Sequence, residues 1–141
     1  MSFLIDTNAV SEWVRPRPDP GVIAWFADAD EDRVFLSVVS LAELRHGVAR
    51  LPASRRRDRL DEWLRQELPL RFEGRILPID EAIAFAWGDV VAERERRGRP
   101  ISTMDAFLAA TARVRGLTLV TRNEADFDDT LPAIVNPWTT V

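Results

Sequence analysis

Short apolar runs alternate along this chain with longer segments in which apolar residues recur every three or four positions. Phe3-Leu4-Ile5 stops at Asp6, and Val34-Phe35-Leu36 stops at Ser37, so each reads as a buried strand closed by a polar residue. Ile76 to Ile79 and Leu117 to Thr121 repeat the pattern, and Ala133 to Val135, between Pro132 and Asn136-Pro137, predicts a short edge strand. Helical spacing fills the intervals. Asp19-Pro20 is an N-cap with proline in the first helical position, leading into Val22, Ile23, Trp25 and Phe26. Leu60, Trp63, Leu64 and Leu68 make an apolar stripe in a helix after Ser54, and Ile83, Trp87, Val90 and Val91 make another after Asp80. A last helix, Ser102 to Arg115, closes at Gly116 as its C-terminal cap.

Strands separated by helices predict an α/β fold, a three-layer sandwich with a mostly parallel central sheet and helices on both faces. With 141 residues, no linker and no internal repeat, residues 1–141 are expected to form one domain. Such sheets place ligands at the carboxyl ends of their strands, which makes a polar residue directly after an apolar strand a functional candidate.

Composition then narrows the chemistry. There is no cysteine, a single histidine (His46), and the basic residues are 19 arginines with no lysine. Disulfides, thiolate zinc sites, thiol nucleophiles, a P-loop lysine and a Schiff-base lysine are thereby excluded, leaving carboxylates and hydroxyls. A metal bound by such groups should be a hard cation, Mg²⁺ or Mn²⁺. No stretch approaches the roughly 20 apolar residues of a membrane span. Met1 to Asp6 lack the marks of a signal peptide, so a soluble, cytoplasmic protein is expected. The net charge of −4 speaks against indiscriminate nucleic-acid binding, yet arginines cluster at 55, 56, 57, 59 and at 94, 96, 97, 99. These are either solvated helix faces and ends or contacts to phosphate or a partner.

Carboxylates stand at the element ends. Asp6 follows the first strand, and Glu43 and Asp105 each lie three residues after a serine, Ser40 and Ser102. That is also capping-box spacing, and Thr121 with Glu124 fits the same template. The joint pattern says more than its members. Asp6, Glu43, Asp105 and the Asn123 to Asp126 segment can all reach one rim of the sheet, where gathered carboxylates repel unless a cation neutralises them. Thr7 and Asn8 either position a water or phosphate or cap the first helix. Glu12 faces the same pocket or solvent. His46 reads as a partly buried structural residue, and Arg45 as a surface residue or a phosphate contact.

Leu4-Ile5-Asp6-Thr7-Asn8, Ser40 to Gly47, Asp105 to Ala112, and Thr121-Arg122-Asn123 with Asp126-Phe127 together resemble the PIN-domain ribonucleases. Their order and spacing are similar to the VapC toxins of toxin–antitoxin pairs, and Phe72 to Pro78 with Asn136-Pro137-Trp138 to the FitB-like branch. The resemblance runs from Phe3 to Trp138. It implies a Mg²⁺-dependent endoribonuclease, with Mn²⁺ able to substitute. Asp6 and Asp105 would hold the metal, with Glu43 joining directly or through water. The fourth site position would fall to Asn123, which can offer a carbonyl oxygen but no charge, or to Asp126. It further implies a VapB-like or FitA-like antitoxin that sends a basic group toward the acidic site, DNA contact only through that antitoxin, and a homodimer built on helix surfaces. Water attack without the ribose 2′-hydroxyl would leave a 5′-phosphate and a 3′-hydroxyl. A DNA-directed nuclease and a catalytically weak binding module are the alternatives. A phosphoacceptor receiver fits poorly without lysine.

Overall fold

In a computed structural model that describes residues 1–138, the apolar runs form a five-stranded, wholly parallel sheet. The strands are β1 (Phe3–Ile5), β2 (Val34–Ser37), β3 (Ile76–Leu77), β4 (Thr118–Val120) and β5 (Ile134–Val135), in the order β3-β2-β1-β4-β5. β1 is central, with Leu4 beside Phe35 of β2 and Leu119 of β4. The edge strand after Pro132 pairs where expected, Ile134 beside Leu119. β3 is shorter than its apolar run because Pro78 has no N–H to give the ladder.

Among the described residues, seven α-helices surround the sheet: α1 (Thr7–Ser11), α2 (Pro20–Asp28), α3 (Val38–Ala49), α4 (Arg55–Glu62), α5 (Leu68–Arg71), α6 (Glu81–Arg96) and α7 (Thr103–Arg115). Side chains alternate across a strand, and the core divides accordingly. Ile5 and Val120 join Val10, Val48, Leu64 and Phe72 on one face, whereas Leu4 and Leu119 join Val90, Leu108, Ala109 and Phe127 on the other. The result is the expected sandwich. All five tryptophans contribute to it as partly buried residues, Trp13, Trp25, Trp63 and Trp138 against the first core and Trp87 against the second.

Asp19 caps α2 and Ser102 caps α7, which ends at Gly116 with φ +65°. Two local expectations change. The cap of α3 is Ser37, whose hydroxyl accepts from Val39 N–H, so the helix starts before Ser40, and Ser40 with Glu43 is not its capping box. Between α4 and α5 the run from Ser54 widens into a π-helical stretch, Trp63–Glu67. It comes just before Pro69, whose ring would meet the Arg65 carbonyl in an unbroken α-helix. Among the described residues, no helix is long and apolar enough to cross a membrane.

Candidate functional site

Parallel strands bring the carboxyl ends of β1, β2 and β4 to one rim, and the start of α7 reaches the same rim. Asp6 continues β1 there, donating its backbone N–H to the Val120 carbonyl at 2.9 Å. Its side chain is almost wholly buried. Oδ1 accepts from Thr7 N–H at 2.6 Å and Oδ2 from the Thr121 hydroxyl at 2.8 Å. Burial outweighs these two bonds, and with the charges of Asp105 and Glu43 nearby it pushes the Asp6 carboxyl up to about 6.

Glu43 lies on the second turn of α3, and its Oε1 accepts from the Thr7 hydroxyl at 2.7 Å. The same Thr7 oxygen is 3.0 Å from Ser40 Oγ, so with the Thr7 proton given to the carboxylate, the buried Ser40 can donate to Thr7. Asp105 stands in the first turn of α7. Its backbone N–H donates to the Ser102 hydroxyl, so the capping reading of this pair holds, while its half-buried carboxyl remains available to the rim. Desolvation raises the Asp105 pKa against the Ser102 hydrogen bond, and the charges of Asp126 and Glu43 raise it further. Electrostatically the four carboxylates thus form a series, Glu43 and Asp105 acting on Asp6, and Asp126 acting on Asp105.

Two flanking residues complete the rim. Asp126 is exposed on the 3₁₀ turn Glu124–Asp126. That turn is fixed from beneath by Arg94, only 4% exposed. Its guanidinium donates to the carbonyls of Asp126 (2.7 Å) and Arg99 (2.7 Å) and to the Thr130 hydroxyl (3.1 Å). Arg99 adds a bond to the Ala125 carbonyl and Arg97 one to the Asp129 carbonyl. The second arginine cluster is therefore largely a clamp on this loop, not a solvated face. Asn123 is also exposed, and its backbone N–H donates to Thr121 Oγ1 at 3.0 Å.

In the sequence Thr121 closes the fourth apolar run, opens one of the resembling motifs and starts another capping-box match, which it does not form, and none of these gives it a role of its own at the site. Its buried hydroxyl instead bonds Asp6, accepts from Asn123 N–H, and lies 3.5 Å from Asn8 Nδ2. A hydroxyl placed directly after the β4 apolar run is the signal that could have found it. Asn8 Oδ1 is buried without a hydrogen-bond partner among the described residues, an acceptor held next to this network. Other candidates lie apart. Glu12 is buried rather than solvated, accepting from Asp19 N–H and pairing with Arg15 at 2.9 Å, and it lines a cavity together with Asn8. His46 is exposed rather than partly buried, and Arg45 pairs with Asp61 at 2.7 Å. Glu124 turns to Asn136 Nδ2.

Hard oxygen donors surround the rim: carboxylates, hydroxyls and a buried carboxamide oxygen. The set is looser than a closed cage, since among the described residues no three acidic side chains are gathered tightly enough to enclose an ion unaided. Mg²⁺ needs no such cage, because it takes one or two carboxylates and keeps several waters. The donor chemistry fits it.

Residues 3–130 match the PIN domain. The chain belongs to the PIN-domain family. It is 38% identical to Toxin FitB of Neisseria gonorrhoeae over 136 residues, covering 96% of this chain and 98% of that protein. To the VapC ribonuclease Y4jK of Sinorhizobium fredii it is 34% identical, covering 96% and 97%. This PIN domain also superimposes on a chain of FitAB bound to the IR36 DNA fragment with a TM-score of 0.91 and 35% identity, over 99% of this chain and 97% of that one. The expected family and fold are thus borne out.

Proposed function

We propose that this PIN domain is a divalent-metal-dependent endoribonuclease and the toxin of a toxin–antitoxin pair, working as one domain in the cytoplasm. The observation that carries the reading is the buried Asp6, fixed by Thr7 and Thr121 and lifted in pKa beside Asp105 and Glu43. A capping aspartate needs no such company. An ionised, buried carboxylate facing two others is stable only with a countercharge. Similarity to a protein named a VapC ribonuclease supports RNA as substrate, and similarity to Toxin FitB and to FitAB bound to DNA supports an antitoxin that carries the DNA contact.

In this reading Asp6 and Asp105 hold Mg²⁺, or Mn²⁺ in its place, and Glu43 joins them directly or through water. When bound, the ion supplies positive charge for the phosphodiester and acidifies water for in-line attack. The chain's own groups do the rest. Thr121 and the Thr7 N–H keep both Asp6 oxygens oriented, and the Thr7 hydroxyl aims Glu43 at the rim. Asp126, held by Arg94, extends the negative rim beyond Asp105 and is favoured over Asn123 for the fourth position, because its charge reaches Asp105. Asn8 offers its unpaired oxygen to a water or a ribose hydroxyl. The ends produced are a 5′-phosphate and a 3′-hydroxyl.

The test is cleavage of matched RNA and DNA strands by the purified protein with Mg²⁺, with Mn²⁺ and with chelator, followed by end analysis. Metal-dependent cutting of RNA alone is the expected result. Preferential cutting of DNA would favour the alternative nuclease. No cutting, together with no Mn²⁺ heat on calorimetry, would leave a binding module.

A further inference from the structure

Next to the acidic rim lies a groove that the site itself does not use. A cavity of about 530 Å³ begins at Asn8 and is lined by Arg15, Pro16, Arg56 and Leu60 among others. It shares Val14, Pro16, Arg56 and Leu60 with a second cavity of about 340 Å³ that reaches Arg59 and Trp63. The shared residues make the two one continuous channel from the neighbour of Thr7 along the start of α4. Val14, Leu60 and Trp63 give it apolar surface, the guanidiniums of Arg15, Arg56 and Arg59 give it positive charge, and its two carboxylates are Glu12, already paired with Arg15, and Glu67 at the far end.

The guanidiniums lining this groove differ in their partners from those of the second arginine cluster. In the second arginine cluster Arg94, Arg97 and Arg99 are committed to carbonyls and to Asp128 or Asp129. Arg15 is committed to Glu12. Arg56 and Arg59 are exposed and, among the described residues, have no ion pair or side-chain hydrogen bond, on a protein whose net charge is −4. Two unneutralised guanidiniums along an apolar trough suit a ligand with negative charges at intervals and flat faces between them. A single-stranded polynucleotide has that chemistry, its phosphates meeting arginines and its bases lying on apolar and aromatic surface.

We propose that this groove carries the phosphodiester backbone of single-stranded RNA on one side of the scissile position, with Arg56 and Arg59 contacting phosphates. Resting on the ribonuclease reading, it adds a substrate path and a direction of approach: RNA enters along α4, passes Asn8 and reaches Asp6.

The experiment is fluorescence anisotropy of a short labelled oligoribonucleotide with the Asp105→Asn protein, which should not cut it, between about 50 and 200 mM salt. Adding Arg56→Ala and Arg59→Ala should weaken binding about tenfold and flatten the salt slope by about 1.4, roughly 0.7 for each single-strand phosphate that an arginine no longer neutralises. Replacing both by lysine should restore most of the affinity. Both positions are exposed, so the thermal midpoint should stay unchanged. RNA binding of the parent that survives the double alanine change with its salt slope intact overturns the groove but not the ribonuclease reading, and leaves the channel to a protein segment. Absence of RNA binding in the parent, with no cleavage by wild type, overturns both. A matching deoxyribonucleotide tests the source of the strand: binding of DNA through these arginines in place of RNA overturns the assignment to RNA.

Discussion

Asp105 sits both in a helix cap and in an acidic rim, and substitution separates the two roles. Asp105→Asn keeps the backbone N–H that bonds Ser102, so any loss of stability should stay within about 1 kcal/mol. As a metal-holding carboxylate, however, its loss should abolish RNA cleavage at saturating Mg²⁺ or Mn²⁺. Glu124→Gln, which alters an exposed partner of Asn136, should leave cleavage near wild type. Equal activity of Asp105→Asn and wild type in a single-turnover assay would reject the metal role. Asp6 gives the second prediction at this scale. Its carboxyl lies near 6 in the fold against 3.8 in the unfolded chain, a difference of about 3 kcal/mol at roughly 1.4 kcal/mol per pH unit. Because the folded value is raised, that stability is fully present below pH 3.8 and is lost as pH rises through about 6. In chelator, urea melts of wild type minus Asp6→Asn should therefore decline by this amount from acid to neutral pH, and Mg²⁺ should restore wild type at neutral pH. A flat difference would show that Asp6 titrates normally. Asp6 was legible in the sequence because a carboxylate straight after an apolar strand is conspicuous. Thr121 was not, because its partners, Asp6 and Asn8, lie more than a hundred positions away and only the β1–β4 pairing brings them together.

At the level of elements, two arginine runs that look alike in the sequence have opposite fates. Arg55 to Arg59 open a helix with an exposed charged face, whereas α6 turns Arg94 inward beneath the Glu124–Asp126 turn. Charge density alone does not give the direction a helix faces. What sets it is the apolar stripe of Ile83, Trp87 and Val90, which Arg94 continues one turn later on the buried side. Arg94 should act as a positioning residue for Asp126. Arg94→Met keeps the stem but removes the donor from the part-buried carbonyls of Asp126 and Arg99 and from the buried Thr130 hydroxyl, at about 1–3 kcal/mol for the buried bond and less for the other two. The urea midpoint should fall accordingly. Cleavage should fall as well, under conditions where the variant is still folded, and the effect on cleavage should largely vanish in an Asp126→Asn background. Additive losses in that double-mutant cycle would show that Arg94 supports the fold without acting through Asp126. The α3 boundary was ambiguous for a related reason. The spacing of Ser40 and Glu43 points to a cap at Ser40, but the β2 ladder ends at Ser37 and makes that residue the cap, which frees Glu43 to face Thr7.

For the whole molecule, periodicity carried the architecture: all five strands follow the apolar pattern, and the parallel order follows from the helical segments between one strand and the next. Assembly is harder to read from composition. Each of the five tryptophans packs partly into one of the two cores, so their number does not argue for a partner. The exposed apolar residues are better guides. Phe85 is 72% exposed on α6, and it lies on the solvent side of a helix whose other side is fixed by Ile83, Val90 and Arg94. Burying a phenylalanine that is now in water is worth about 1.5–3 kcal/mol, enough to centre an interface though not to make one alone. A homodimer of this PIN domain should accordingly use the α6 surface and leave the acidic rims open to RNA. Phe85→Asp should convert the dimer to monomer in light scattering without changing the thermal midpoint of the monomer, since the side chain supports no core. Cleavage of a short RNA should persist in that monomer, because Asp6, Glu43, Asp105 and Asp126 all come from one chain. A wild type that is monomeric from the start, or a Phe85→Asp protein that stays dimeric, would place any assembly on another surface. Loss of cleavage on dissociation would mean that the rim needs a residue from the second copy.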